Sequence, residues 1–529
     1  MPDSPAPREP GRILRLEGKC GSVAMNSWDL RALARQRLEE EEGTLRKQAT
    51  LRVALCYPST YEIAMSSLGY QTIYREIHLH SDASAVRAFL PDKPEEYRAS
   101  RTAVFSYEEE TPLSDYPVLA FSVSYELEIP GIFEILDLCG IPPLREERNA
   151  RHPLILMGGP LTNSNPVPLA PFADLIILGE AEDLIHTFLD AAMNTGRDEL
   201  LDHFARLPGC YVPGRTPILP PIAKAPDDRL PARSQIITRN TVLRSMFLIE
   251  PERGCSRGCT YCVMRRTTNG GMRLVRPEEV LRFVPPNARR VGLVGAAVTD
   301  HPRIKDVVRR IVEDGREVGI SSLRADRLDE EFVELLARGG YRTLTTASDG
   351  ASQRLRDFID RKTSEKHLVR AAGLARLFGL KRMKLYELIG LPGETDADID
   401  ELVRCARELA RVIPISLGIS PFVAKRNTPL DGAPFEPVPA LEAKMERLRL
   451  GLKGEVDVRP TSPRWGWVEY MLSQGDERAG LAAMDAWRAG GKYASWKRAF
   501  KERDARPFGS RPAVDGRRNP PPRPLSEVT

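Results

Sequence analysis

Residues 252–266 read ERGCSRGCTYCVMRR, which places Cys255, Cys259 and Cys262 in the spacing C-x3-C-x2-C with Tyr261 just before the last cysteine. That spacing suits a 4Fe-4S cluster held by three thiolates. A cubane ligated this way keeps one iron open, and S-adenosylmethionine can chelate it through its amino and carboxylate groups and accept an electron into the sulfonium. Structural zinc is the alternative, but it wants four ligands in two close pairs. The next cysteine along the chain, Cys405, lies inside a helical pattern, and no second Cys-x2-Cys exists. Gly254 and Gly258 let the loop fold closely around a cubane.

The sequence flanking this loop reads as a series of βα units. SMFLIEPERGC is a strand that delivers the cysteine loop. Further strands are expected at 289–297, 317–325, 342–350, 381–394 and 413–423, with helical stretches such as PRIKDVVRRIVEDG and DADIDELVRCARELA between them. Six βα units in a row predict a parallel (β/α)6 partial barrel over 241–430, with the catalytic groups at the strand ends and βα loops. From about Pro429 the chain turns helical and aromatic. Trp465, Trp467, Trp487 and Trp496 read as packing residues of a small helical C-terminal region, 431–505. The tail 506–529 is rich in Pro, Arg and Gly and is expected to be disordered.

Upstream the pattern is that of a second α/β domain. LRVALCYP from Leu51, VLAFSVSY at 118–125, PLILMGGP at 153–160 and DLIIL from Asp174 are nearly continuous apolar strands separated by helical stretches. They predict a Rossmann-like, doubly wound parallel sheet over 49–205, preceded by a helical extension, 1–48, and followed by a Pro-rich linker, 206–240. Ligands of such sheets sit at the carboxyl ends of the strands, here near 57–62, 122–126, 158–163 and 179–182. The glycines there also have a plain reading, as tight strand-to-helix turns.

Composition bounds the function classes. A chain of 529 residues with 28% charged residues has room for about three domains. The absence of an 18-residue apolar run predicts no membrane span, and the first residues lack a signal-peptide core. Eight cysteines, five of them scattered (Cys20, Cys56, Cys139, Cys210 and Cys405), suit a reducing cytoplasm. A net charge of +4 gives no indication of nucleic acid. Arg253, Arg257, Arg265, Arg266, Arg273 and Arg276 crowd the cysteine loop, either to grip an anion or as ordinary surface arginines.

From Leu51 to about Phe500 the sequence resembles the radical S-adenosylmethionine (radical SAM) proteins that carry a cobalamin-binding-like domain ahead of the radical domain. Besides the cysteine motif, the resemblance rests on YPSTYEIAMSSLG (57–69), LILMGGPLTNSNPVPL (154–169), ISSLRADRL (320–328), ASDGASQRLR (347–356), KLYELIGLPGET (384–395) and SPFVAKRNTPL (420–430), in that order. It implies that Cys255, Cys259 and Cys262 ligate the cluster and that Tyr261 lies near the adenine. It also places Gly292 and Gly295 in the loop that meets the methionine amino group. Ser322 and Arg324 are implied on the third strand end, with interior packing and ion pairing as their alternative. Asp349 stands on the fourth strand end, where relatives usually have glutamate, and Ile389 and Gly390 are implied as adenine-side backbone contacts.

The resemblance further implies an enzyme that cleaves S-adenosyl-L-methionine to a 5'-deoxyadenosyl radical, with an external one-electron donor such as flavodoxin or ferredoxin. The substrate is not readable from the sequence. Cobalamin is offered as a further cofactor, which would turn hydrogen abstraction into methyl transfer. The loop 58–69, however, has no histidine for the lower face of cobalt, so any cobalamin is expected to be held by backbone and by Tyr61 and Met65. The competing readings are a methylthiotransferase acting on RNA or protein, with a second cluster on Cys20, Cys56 and Cys139, and a non-enzymatic iron-sulfur sensor.

Overall fold

The computed structural model describes residues 25–264, 271–321 and 323–508. Cys20, Arg265, Arg266, Ser322 and the tail beyond residue 508 therefore lie outside the described residues. The chain divides into two compact units, residues 25–247 together with Gly475–Ala505, and Leu248–Gln474 together with residues 506–508.

The first unit is built on strands β1 (Glu41–Glu42), β2 (Leu51–Tyr57), β3 (Ala83–Phe89), β4 (Val118–Ser122), β5 (Leu154–Gly158), β6 (Leu175–Ile177), β7 (Cys210–Tyr211) and β8 (Ile237–Thr238). Six of them form one sheet in the order β3-β2-β4-β5-β6-β7, parallel except for β7, which runs antiparallel to β6. Leaving out β7, the order is that of a flavodoxin-like sheet, whose topological switch lies between β2 and β4. Both faces are covered. Val53, Leu55 and Tyr57 on one face of β2 and Ala54 and Cys56 on the other are all buried, which is why the strand reads as an unbroken apolar run.

Sequence patterning had not marked β3, because a fully buried arginine, Arg87, interrupts it. The N-terminal helix Ser27–Glu39 is closed by a capping box on Asn26. It leads into β1, which pairs antiparallel with β8 through Glu41↔Thr238 and Glu42↔Ile237, so the extension and the Pro-rich linker join one another.

Two C-terminal helices belong to this same unit. Glu477–Arg488 lies on Ile129–Leu138, and Trp487 Nε1 donates to Glu134 Oε2 at 2.8 Å. Gly480 makes the closest approach: a Cβ there would lie 1.9 Å from the Pro168 carbonyl oxygen, so only glycine lets this helix seat on the Val167–Leu169 turn.

The second unit contains β9 (Met246–Ile249), β10 (Glu252–Gly254), β11 (Met272–Leu274), β12 (Arg290–Leu293), β13 (Glu317–Ile320), β14 (Thr343–Ala347), β15 (Arg382–Ile389), β16 (Ile415–Pro421) and β17 (Asp457–Pro460). Strands β9, β12 and β13 form one sheet, β14 to β17 another, and a single parallel bridge, Leu323 to Thr346, joins them. The strands thus follow one another in chain order around a partial barrel. Helices such as Ile304–Glu313, Glu365–Leu377 and Asp396–Ala410 connect them, the last one closed by a capping box of Thr395 and Asp398. The six expected strands are present. A seventh, β17, pairs parallel with β16 in a region expected to be helical, because DVRP has no apolar run to signal a strand. The barrel unit also holds the helices Val438–Gly451 and Pro463–Ser473.

Candidate metal and cofactor centre

The cysteine loop is the tip of a β-hairpin rather than a direct continuation of β9. After Ile249 the chain passes into β10, which pairs antiparallel with β11 in the register Glu252↔Leu274 and Gly254↔Met272. Gly254, at φ +94°, turns the chain out of β10 in a conformation that a side chain would strain. The Cys255 N–H then bonds the Gly271 carbonyl at 3.2 Å. Within the loop the Cys262 N–H reaches the Cys259 carbonyl at 3.2 Å. Thr260 fastens the loop on two sides, its N–H to Ile359 O at 3.1 Å and its carbonyl to the Leu430 N–H at 3.2 Å.

Cys259 is buried, and Cys255 and Cys262 are half-buried. Burial, and after it the neighbouring thiols, pushes Cys262 up to about 11, and burial raises Cys255 as well, again with Cys259 adding to the effect. The Cys255 and Cys262 thiolates are therefore disfavoured until a metal supplies positive charge. Among the described residues no group of three His, Cys, Asp or Glu side chains is arranged to hold a single metal ion. A cubane would spread its three sulfurs wider than a tetrahedral ion does, and the three thiols of this loop are the donors that a cluster with one open iron would use.

Tyr261 and Asp349 meet each other. The Tyr261 hydroxyl donates to Asp349 Oδ2 at 2.7 Å, and Arg361 Nε lies 2.7 Å from the same oxygen. Arg361 also donates to the Ala347 carbonyl at 3.0 Å and contacts the Cys259 thiol, so one buried cation touches both the strand-end acid and a cluster cysteine. Asp349, Asp360 and Lys362 all have positive φ, 58°, 53° and 58°, and this strain is concentrated where the loop meets the fourth strand end. No local sequence pattern marks Arg361. Its role depends on the left-handed turns that carry it back beneath Cys259.

Arg324 sits 7% exposed in an ion network: its Nε is 3.1 Å from Asp326 and its Nη2 donates to the Arg361 carbonyl. Arg257 of the cysteine loop chelates Asp300 at 2.6 and 2.7 Å and reaches Asp326 at 3.2 Å, and Arg327 joins on Asp300 at 3.1 Å. Asp300 pays a burial penalty, yet these guanidiniums, Arg257 foremost, hold its carboxyl below the usual range. Arg253 pairs with Glu250 and Arg276 with Glu279. Arg253, Arg257 and Arg276 thus each have a carboxylate partner of their own.

Residues 249–406 match the family model described as the radical SAM superfamily, and residues 69–213 match the one described as radical SAM proteins, N-terminal. The chain belongs to the radical SAM proteins. It is similar to an uncharacterized protein of Methanocaldococcus jannaschii, 26% identical over 442 residues that cover 80% of this chain and 89% of that one. It is also similar to the tRNA-2-methylthio-N(6)-dimethylallyladenosine synthase of Anoxybacillus flavithermus, 24% identical over 247 residues, 42% of this chain and 45% of that one. Among solved structures, the cobalamin-dependent S-adenosylmethionine radical enzyme OxsB with aqua-cobalamin bound aligns with a TM-score of 0.51 at 14% identity, a likeness of fold alone. It covers 69% of this chain and 53% of OxsB, so the chain spans about half the length of that structure.

The remaining residues expected to meet the cofactor in this radical SAM protein stand on β12, in the loop after it and at the end of β15. Gly292 is mid-strand in β12, paired with Gly319 of β13. Gly295 faces a residue that the sequence reading passed over, although it stands in the quoted stretch. A Cβ on Gly295 would lie 2.2 Å from Glu252 Oε1, which accepts the Ala297 N–H at 2.8 Å. Glu252 is fully buried, burial raises its carboxyl to about 7, and among the described residues Oε2 has no hydrogen-bond partner. At the fifth strand end the Ile389 carbonyl accepts the Phe422 N–H at 2.8 Å. The Gly390 N–H donates to Glu394, which Lys444 holds at 2.9 Å. Gly390 has φ +84°, and an added Cβ would meet Leu441 at 2.8 Å.

Proposed function

We propose that this radical SAM enzyme holds a 4Fe-4S cluster on Cys255, Cys259 and Cys262 and uses S-adenosyl-L-methionine to abstract hydrogen from its substrate. Held on these thiols, a cluster with one open iron would supply the electron for reductive cleavage of S-adenosylmethionine to methionine and a 5'-deoxyadenosyl radical. The observation that carries the reading is the hairpin-tip loop, whose three thiols sit against the fourth strand end through Tyr261, Asp349 and Arg361. In this reading Arg361 offsets thiolate charge at Cys259, and Tyr261 and Asp349 shape the adenine side of the cofactor. Gly292 and Gly295 leave room at its methionine end, and Ile389 and Gly390 border it with backbone. An external one-electron donor such as flavodoxin or ferredoxin completes the requirement. Anaerobically reconstituted protein given dithionite and S-adenosylmethionine should release 5'-deoxyadenosine. A protein with full iron that releases none would refute the function.

Asp349→Ala removes one acceptor from the Tyr261 hydroxyl and leaves Arg361 buried without its anion. A lost charge-assisted bond costs about 1.5–3 kcal/mol, so S-adenosylmethionine binding should weaken by about tenfold or more. Iron content should fall far less, because no thiolate is touched. Equilibrium binding and iron analysis on the same preparation check this, and unchanged affinity would remove Asp349 from the cofactor site.

Any cobalamin would belong to the first unit. The flavodoxin-like order suits a ligand at the switch between β2 and β4, but there the Tyr57 hydroxyl and Ser124 Oγ bond to each other at 2.6 Å. A Cβ on Gly131 would lie 2.2 Å from Pro58 O, so helix and loop are in close contact. Tyr61 and Met65, expected to pack against a corrin, are core residues: the Tyr61 hydroxyl donates to Glu41 at 2.6 Å, and the Met65 sulfur faces Arg87 at 3.3 Å. Histidines are engaged away from the switch, His78 on the Ala85 carbonyl, His80 with Asp190 and His186 with Glu76. The loop 58–69 after β2 contains no histidine that could ligate cobalt from below. Cobalamin retained by the protein should accordingly show no nitrogen splitting from a protein histidine in the electron paramagnetic resonance of its cob(II) form. Nitrogen triplets would overturn that expectation.

The methylthiotransferase reading needs a second thiol trio. Of the expected trio Cys20, Cys56 and Cys139, the first lies outside the described residues, and burial raises the thiols of Cys56 and Cys139.

A further inference from the structure

Strand β15 alternates strictly. Met383, Leu385, Glu387 and Ile389 are buried on the side that packs against the helices, and Arg382, Lys384, Tyr386 and Leu388 occupy the opposite, more open side. In a partial barrel of βα units that opposite side is the interior. The register extends the pattern into two rows, Thr345, Lys384, Ser416 and Asp457 in one, and Ala347, Tyr386, Gly418 and Arg459 in the next. The charges in these rows do not balance. Asp457 accepts from Arg459 Nε at 2.7 Å and from Ser416 Oγ at 3.2 Å, so its charge is taken. The Lys384 ammonium lies 4.8 Å from the centre of the Tyr386 ring, and among the described residues no carboxylate pairs with it. Lys305, Lys425 and Lys444, by contrast, each lie within 3 Å of a carboxylate.

We propose that Lys384 and Tyr386 form a subsite inside the barrel for an anionic group, carboxylate or phosphate, of the substrate; this names the substrate class of the radical reaction and rests on that reading. The cation–π contact holds the ammonium beside the ring. Tyr386 is 37% exposed, and Gly418 makes space for it, since a Cβ there would come within 2.9 Å of the ring. An unpaired cation between low-dielectric walls attracts an anion strongly, and the phenol hydroxyl is a second donor beside it. The subsite is tied to the radical centre. The Tyr386 carbonyl accepts the N–H groups of Ser348 and Asp349 at 3.1 and 3.3 Å, and Asp349 bonds Tyr261 of the cysteine loop. A substrate anchored by its anion would extend along β15 toward the strand ends, about 3.3 Å per residue, where the cofactor belongs.

Pyridoxal 5'-phosphate tests this in the full chain. Its aldehyde condenses with a lysine amine with loss of water, and borohydride reduces the imine to a stable amine that peptide mass spectrometry locates. Lys384 should be labelled about tenfold faster, or more, by pyridoxal 5'-phosphate than by pyridoxal, which lacks the anion. Inorganic phosphate or malonate should protect it, and the better protector identifies phosphate or carboxylate as the group recognised. Tyr386→Phe should slow labelling by the phosphate reagent while leaving the pyridoxal rate unchanged. Equal rates with the two reagents, or no protection by either anion, overturns the subsite. Release of 5'-deoxyadenosine by the unlabelled parent protein tests the radical reading separately, so a failure of one is not mistaken for a failure of the other.

Discussion

Replacing Cys255, Cys259 and Cys262 together by alanine should leave anaerobically reconstituted protein without cluster iron, where the parent chain takes up four iron atoms. Burial, with the neighbouring thiols adding to it, holds Cys255 and Cys262 back from ionising until metal arrives, and a cubane needs all three donors, so the loss should be close to complete. The hairpin itself should survive, because its ties run through backbone: Cys255 N–H to Gly271 O, and Thr260 to Ile359 and Leu430. A parallel variant with Cys56, Cys139, Cys210 and Cys405 replaced by alanine should keep its iron, since burial holds all four of these thiols protonated. Iron analysis with the visible spectrum decides the matter. Four irons retained in the first variant, or zinc in place of iron in the parent protein, would defeat the assignment.

The cysteine spacing and the βα rhythm were legible because both are local. A C-x3-C-x2-C loop needs no partner elsewhere, β16 is a nearly continuous buried run, and β15 shows the two-residue alternation that itself marks a strand. What escaped was non-local or carried by polar residues. β3 holds a buried arginine, β17 is polar and four residues long, and the hairpin of β10 and β11 is closed by Met272–Leu274, 18 residues beyond the residue that opens it. The site was partly legible for the same reason. Tyr261 and Asp349 were each named singly, but their bond to one another, and Arg361 beneath both, depend on left-handed turns at non-glycine residues that no propensity favours. Arg324 could be read as ligand or ion-pair partner, and the structure places it among Asp326, Asp300 and the Arg361 carbonyl.

Arg87 is the point at which the first unit should be most fragile. Its side chain is wholly buried between Glu41, at 2.7 and 2.8 Å, and Glu108, at 2.5 Å, with the Tyr74 ring 5.2 Å away. Burial works against both carboxyls, but Arg87 keeps Glu41 below the usual range, whereas Glu108 is desolvated enough to stay above it. Arg87→Met keeps the length of the chain and removes the cation, leaving two carboxylates facing each other in an apolar core. Breaking a buried pair in this way costs about 3–5 kcal/mol. Against a typical domain stability of about 5–15 kcal/mol, that is a large share. Adding Glu41→Gln and Glu108→Gln should recover much of the loss, because the unpaired charges, more than the missing contacts, account for it. The pH dependence follows from the same cause. In Arg87→Met both folded-state carboxyls are raised above their unfolded value near 4.3, so the folded state binds more protons and stability must fall as pH rises through the folded values. The single variant should therefore regain stability between pH 7 and pH 5, and the triple variant should not. Urea unfolding followed across that pH range reads both effects, and a single variant with an unchanged midpoint and no pH dependence would show that the triad contributes little to holding the unit together.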